Sequence, residues 1–290
     1  MSDLDIVLDG RTVRVRDAGD RGGSPIVYFH GTPGSRRDVV FGDEVASELG
    51  VRVVSVDRPG YGGSDLAPFS LRSVARDAGA IADRLGLGRF AALGWSGGGP
   101  FALASAAVLG ERVTGVGVAG GTAPFQLRPG AMAAFTDDDR RALSFLPGDP
   151  ARAAEQFRVG NEEMLQLMVS VRDDEQAPWI DWLWGTSDPD VVSDPLLRRT
   201  LFSVLHEGLR QGPMGVAWDN VAWTGPWDVE LADVRCPVEL WYGEKDEMVP
   251  PADGEWLRDH LPDARLVTYA GEGHLVPMRH WAEIVGSLSA

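Results

Sequence analysis

Residues 5 to 16 alternate apolar and polar positions on either side of Asp9-Gly10. That pattern predicts a β-hairpin closed by a two-residue turn. Short apolar runs follow at Ile26–Phe29, ending at His30-Gly31, and at Val51–Val56, ending at Asp57. Both read as buried strands, and Val39 to Leu49 between them predicts a short helix. From Leu71 to Leu87, Val74, Ala78, Ile81 and Leu85 recur at helical spacing, with Ser70 placed as an N-cap. Phe90-Ala91-Ala92-Leu93 then reads as a strand, Pro100–Leu109 as a helix, and Val113–Ala119 as a strand ended by Gly120-Gly121.

The alternation stops there. From about Pro124 to Pro226 the pattern is that of several helices with breaks, including an acidic helix start at Asp137-Asp138-Asp139. It resumes with a strand at Val238–Tyr242, a helix at Ala252–Leu261, a strand at Arg265–Tyr269 and a helix at Trp281–Leu288. Strands separated by helices predict an α/β fold with a mostly parallel, doubly wound sheet, here with an N-terminal antiparallel hairpin. The expected division is a core of residues 1–122 and 229–290 and an inserted helical cap of residues 123–228. Ligands of open α/β sheets bind beyond the carboxyl ends of the strands, so an insertion leaving from such an end lies over the site.

Composition narrows the function. The 290 residues are 44% hydrophobic and carry a formal charge of −16. Such a surface repels phosphate backbones and anionic lipid, so neither nucleic acid nor membrane is expected as a partner. No run of about 18 apolar residues predicts a membrane span. The acidic N-terminus lacks a secretory pattern, and Cys236, the only cysteine, excludes an internal disulfide. A cytoplasmic protein acting on a small-molecule substrate is expected, as a monomer or homodimer. Cys236, before Pro237 and an apolar run, reads as a small buried hydrophobe. No cluster has metal-ligand spacing, and Gly97-Gly98-Gly99 lacks the Lys-Ser/Thr of a phosphate loop, so neither metal nor cofactor is expected.

The candidate chemistry begins at Gly94-Trp95-Ser96-Gly97-Gly98, between a predicted strand and a predicted helix. A serine at such a sharp turn presents its hydroxyl outward, while glycines two residues to either side let strand and helix pass closely. A serine hydroxyl needs a base within reach, and the base needs an orienting group. Of the five histidines, only His30 and His274 follow predicted strands directly. His206, His260 and His280 read as surface or packing residues. Asp246, after the Val238 strand, is the expected orienting acid, with Glu244 and Glu247 as nearby rivals.

Together with His30-Gly31-Thr32-Pro33-Gly34 and Asp57-Arg58-Pro59-Gly60-Tyr61-Gly62-Gly63-Ser64, these residues resemble the α/β-hydrolase superfamily over essentially the whole chain. The order Ser, Asp, His matches that superfamily. The resemblance implies Ser96 as nucleophile, His274 as general base and acid, and Asp246 as the group that fixes the imidazole. It implies an oxyanion hole from the backbone N–H groups of Gly97 and Thr32. His30 and Gly31 would support that loop, and Pro33 and Gly34 would hold its shape.

A serine at the turn excludes the branches that place an aspartate there. The leading expectation is a serine hydrolase that cleaves a carboxylic ester, or a related acyl bond, of a small apolar substrate through an acyl-serine. A proline-iminopeptidase-like aminopeptidase is the alternative, with Glu162-Glu163 or Glu207 to hold an ammonium. Carbon–carbon bond hydrolysis, cofactor-free perhydrolysis and a receptor-like binding protein on the same fold also stay open. Six tryptophans between Trp179 and Trp227 either line an apolar pocket or pack cap on core. Trp95, Trp182 and Trp223 are the candidates for substrate contact.

Overall fold

The structure is a computed structural model that describes residues 1–174, 176 and 178–289. Its sheet contains β1 (Ser2–Leu8), β2 (Arg11–Gly19), β3 (Ser24–Phe29), β4 (Val51–Val56), β5 (Phe90–Trp95), β6 (Val113–Ala119), β7 (Val238–Gly243) and β8 (Ala264–Tyr269). Their spatial order is β1-β2-β4-β3-β5-β6-β7-β8. The first two strands pair antiparallel, β2 joins β4 antiparallel, and every pairing from β4 through β8 is parallel. The expected sheet, including its antiparallel start, is the one formed. Asp9 and Gly10 both take positive φ, 49° and 80°, as a tight hairpin turn demands.

Side-chain alternation divides the core between the two faces of the sheet. Val27 and Phe29 of β3, with Val54 and Val56 of β4, pack under α2 (Leu71–Arg84) and α3 (Gly99–Leu109). Ile26 and Tyr28, with Val51 and Val53, face the other way, against α1 (Asp43–Glu48) and α13 (Trp281–Leu288). Each large apolar side chain removed from water contributes about 1.5–3 kcal/mol, so both helical layers are held by ordinary burial. Ser70 caps α2 as expected and forms a reciprocal box with Ser73. The helix expected over Val39–Leu49 is shorter: a single 3₁₀ turn at Val40–Gly42 precedes α1.

Between β6 and β7 the chain forms α4 (Asp137–Leu143), α5 (Pro150–Gly160), α6 (Glu162–Val171), α7 (Trp179–Trp184), α8 (Pro189–Ser193), α9 (Pro195–Gly208) and α10 (Met214–Thr224). The acidic run at Asp137–Asp139 is the first turn of α4, capped by Thr136. Acidic side chains there complement the free N–H groups of the helix start. After β7 come α11 (Pro251–His260), β8 and α12 (Val276–Arg279) before α13. Among the described residues no helix is long and apolar enough to cross a membrane.

Candidate active site

The turn after β5 is strained where the chemistry is expected. Ser96 has φ 54°, a left-handed conformation that a side chain resists. The flanking glycines make that turn possible. A Cβ on Gly98 would lie 2.1 Å from the Phe29 carbonyl oxygen, and one on Gly94 would lie 2.3 Å from the Gly98 oxygen. Neither position can carry a side chain without moving backbone.

His274 sits in the loop after β8, and its Nδ1 lies 2.7 Å from Oδ2 of Asp246, in the loop after β7. Both side chains are buried. The other carboxylate oxygen, Oδ1, accepts the backbone N–H groups of Met248 and Val249, each at 2.9 Å. With its oxygens committed as acceptors, Asp246 places an imidazole proton on Nδ1, so that Nε2 is the nitrogen directed away from the carboxylate. The rival carboxylates do not approach: Glu244 accepts the Gly271 N–H at 3.0 Å, and Glu247 is exposed. The Trp95 indole donates to the His274 carbonyl at 3.1 Å and so helps hold the loop.

Ser96 and His274 line one cavity of about 210 Å³. Among the described residues no hydrogen bond joins the Ser96 hydroxyl to the His274 imidazole, and such bonds often tighten only when a substrate is bound. Gly31, Thr32 and Pro33 form one wall. Much of the remaining lining is apolar and comes from Met164 and Met168 of α6, Trp179, Trp182 and Trp184 of α7, and Leu201 of α9. Among the described residues no Asp, Glu, Lys or Arg lines this cavity.

Thr32 and Gly97 are neighbours: a Cβ on Gly97 would lie 2.4 Å from Thr32 Oγ1. The Thr32 loop is held by buried charge. Thr32 Oγ1 donates to Asp219 Oδ2 at 2.6 Å, and Tyr61 donates to the same oxygen at 2.6 Å. Arg58 Nε reaches Asp219 Oδ1 at 2.7 Å, and its Nη1 donates to the His30 carbonyl at 2.6 Å. His30 Nε2 accepts the Arg58 N–H at 3.2 Å, so Nδ1 carries the proton and donates to the Gly31 oxygen at 2.7 Å. Burial, with the Arg58 charge beside it, holds His30 well below the usual histidine range and therefore neutral. Asp38 accepts the Gly31 N–H at 2.9 Å and the Ser35 N–H at 3.1 Å, and burial pushes its carboxyl up to about 7.

The remaining candidates fall outside this constellation or divide. Trp95 and Trp182 line the cavity, whereas Trp223 stands outside it, against Phe125 and beside Gly97. Trp218 packs on Phe69, so the tryptophans serve both roles. Glu207 binds Arg36 at 2.6 Å, Glu162 faces Arg158, and neither of them nor Glu163 lines the cavity. His206 pairs with Asp173, His260 stacks on Trp256, and His280 bonds Glu272. Cys236 is half-buried at the chain surface rather than buried, and partial desolvation raises its thiol. Among the described residues no cluster could hold a metal ion.

Arg58 stood inside a motif of the sequence, but Asp38 and Asp219 carried no local signal. Asp219 lies 161 residues from Arg58, and only the folded chain brings them together.

Comparison with known proteins agrees with this architecture. The model of the alpha/beta hydrolase family matches residues 26–287. A pimeloyl-[acyl-carrier protein] methyl ester esterase of Nitrosomonas europaea is 30% identical over 227 residues, which is 77% of this chain and 78% of the relative. A proline iminopeptidase of Lactobacillus delbrueckii subsp. bulgaricus is 25% identical over 90% of this chain and 86% of its own. Among solved structures, the esterase RhEst1 from Rhodococcus sp. ECU1013 superposes with a TM-score of 0.67 at 21% identity, covering 99% of this chain and 100% of that one. The chain belongs to the alpha/beta hydrolase family.

Proposed function

We propose that this alpha/beta hydrolase is a serine esterase that cleaves a neutral, apolar carboxylic ester through an acyl-serine. The observation that carries the reading is the 2.7 Å bond from His274 to Asp246, with the imidazole opening into the cavity that Ser96 lines. In the proposed cycle His274 Nε2 takes the Ser96 proton as Oγ attacks the ester carbonyl. The backbone N–H groups of Gly97 and Thr32 receive the developing oxyanion. Collapse breaks the bond to the alcohol oxygen, which leaves with the proton held on His274. A water, deprotonated by the same nitrogen, then attacks the acyl-serine, releasing the acid and restoring Ser96. Asp246 keeps the proton on Nδ1 and stabilises the imidazolium formed in each half-cycle.

The substrate's neutrality follows from the cavity walls. A substrate ammonium buried against Trp179 and Met168 would meet no counter-charge among the described residues, and an unpaired buried charge is strongly disfavoured. The same argument disfavours a substrate carboxylate inside the cavity. This separates the reading from an aminopeptidase, although a proline iminopeptidase is among the relatives.

The test is intact-protein mass after exposure to a fluorophosphonate, on wild type and Ser96→Ala, followed by a panel of neutral, cationic and anionic esters and amides. One adduct on wild type only, with neutral apolar esters turned over fastest, is expected. An unmodified wild type would sink the acyl-serine reading and favour a receptor-like role. Preference for an amino-terminal amide would overturn the substrate class.

A further inference from the structure

Asp188 opens the helix α8, between the two helices that supply much of the apolar wall, α7 and α9. Its side chain is fully buried. Its two oxygens accept backbone N–H groups on either side of His274: Gly273 N–H to Oδ1 at 3.1 Å and Leu275 N–H to Oδ2 at 3.3 Å. The catalytic candidate is thus held by its neighbours at both ends of its own residue.

The bracket is built rather than incidental. A Cβ on Gly273 would lie 2.3 Å from Asp188 Oδ2, so the backbone there approaches the carboxylate as only glycine can. Arg279, at the end of α12, pairs with Asp188 and compensates its buried charge, and Ser187 donates to Oδ2 at 3.1 Å. Asp188's own N–H donates to the Trp184 carbonyl at 2.7 Å, which ties the bracket to the cavity wall.

We propose that Asp188 is a positioning residue for His274, through which the helices lining the cavity set the register of the catalytic imidazole. A charged acceptor binds two N–H groups more tightly than a neutral one, and it holds them at a fixed separation. The Asp246 bond fixes the ring's rotation, and the Asp188 bracket fixes the backbone from which the ring projects. Loss of the bracket lets Nε2 drift relative to Ser96 Oγ, and a shift near 1 Å can cost about 10²-fold in rate. This inference rests on the proposed acyl-serine reaction.

The experiment compares wild type with Asp188→Asn and Asp188→Ala on p-nitrophenyl butyrate, alongside the rate of Ser96 modification by a fluorophosphonate. Asparagine keeps one acceptor and turns an amide NH₂ toward the second N–H, so it breaks half the bracket while preserving shape. Expected are folded variants by circular dichroism, kcat lower by about 10²-fold for alanine and less for asparagine. KM should stay within about threefold, with the modification rate falling in step with kcat. A purely structural role would lower the unfolding midpoint and leave these rates unchanged in the folded fraction, which overturns the proposal. So does a rise in KM with kcat retained. If neither Asp188 variant folds, Gly273→Ala pushes a Cβ into the space of Asp188 Oδ2 and the Ser187 side chain and so opens the bracket with the carboxylate still present, and an unchanged kcat there has the same force. A wild type that the fluorophosphonate leaves unmodified removes the acyl-serine reading and this inference with it. A modified wild type with equally reactive variants removes the Asp188 inference alone.

Discussion

Asp219 of α10 and Arg58, just after β4, form an ion pair with 2.5 Å between Oδ2 and Nη2 and neither side chain exposed. Two buried charges are tolerable only when their remaining hydrogen-bond capacity is also filled. Here Thr32 and Tyr61 donate to the carboxylate, while the His30 and Gly31 carbonyls accept from the guanidinium. The pair therefore ties a helix between β6 and β7 to the loop proposed as the oxyanion hole.

Asp219→Ala should be costly for that reason. Arg58 would keep its charge in the interior without a counter-ion, a loss of about 3–5 kcal/mol in such settings. Equilibrium urea unfolding checks this. A change below about 1 kcal/mol would show that water reaches the pair.

Ser96→Ala and His274→Ala should each lower kcat by a factor on the order of 10⁶, because residues that act as a unit fail together. Asp246→Asn should cost on the order of 10⁴ by favouring the wrong tautomer. Neither Glu244, held at the Gly271 N–H, nor exposed Glu247 is placed to substitute. Kinetics with p-nitrophenyl butyrate measure all three, and near-wild-type activity in Asp246→Asn would refute the assigned role.

The tryptophans should separate by function. Trp182→Ala removes a cavity wall and should shift preference toward longer acyl chains with little change in stability. Trp223→Ala should chiefly destabilise, since its ring packs against Phe125 outside the cavity. A chain-length series from acetate to decanoate, read beside unfolding midpoints, distinguishes the two. Identical chain-length profiles in wild type and Trp182→Ala would contradict the assignment.

Stability should fall as pH rises from about 4 to about 7 through two buried carboxyls. Burial pushes Asp38 up to about 7 and Asp57 up to about 6, against an ordinary value of 3.8. In that window the native state holds protons that the unfolded chain has released, so raising pH favours unfolding. Asp38→Asn keeps an acceptor for the Gly31 N–H and removes one of the two titrations. The gap between urea midpoints at pH 4.5 and 7.5 should therefore narrow in the variant without closing, since Asp57 still titrates, and an unaltered pH slope would count against the Asp38 assignment.

The strand-helix order, the hairpin at Asp9-Gly10, the Ser70 cap and the position of Ser96 at a glycine-flanked turn were all legible before the chain was folded. These are local matters: period-2 and period-3.6 burial and backbone sterics act over a few residues. The sequence also singled out His274 and Asp246, because each follows a predicted strand and parallel strands gather their carboxyl ends on one edge. Which acid reaches the imidazole was open between Asp246 and its two glutamate neighbours, and the turn of the loop decided it. The sequence did not reveal Asp38, Asp188 or Asp219, nor that Trp182 rather than Trp223 borders the cavity. An acidic residue in a helical stretch looks the same whether it meets water or a buried backbone N–H 85 residues away, as Asp188 meets Gly273. Only tertiary packing removes the water, and with it the alternative partners, so only the folded chain distinguishes a surface carboxylate from one that holds a site together.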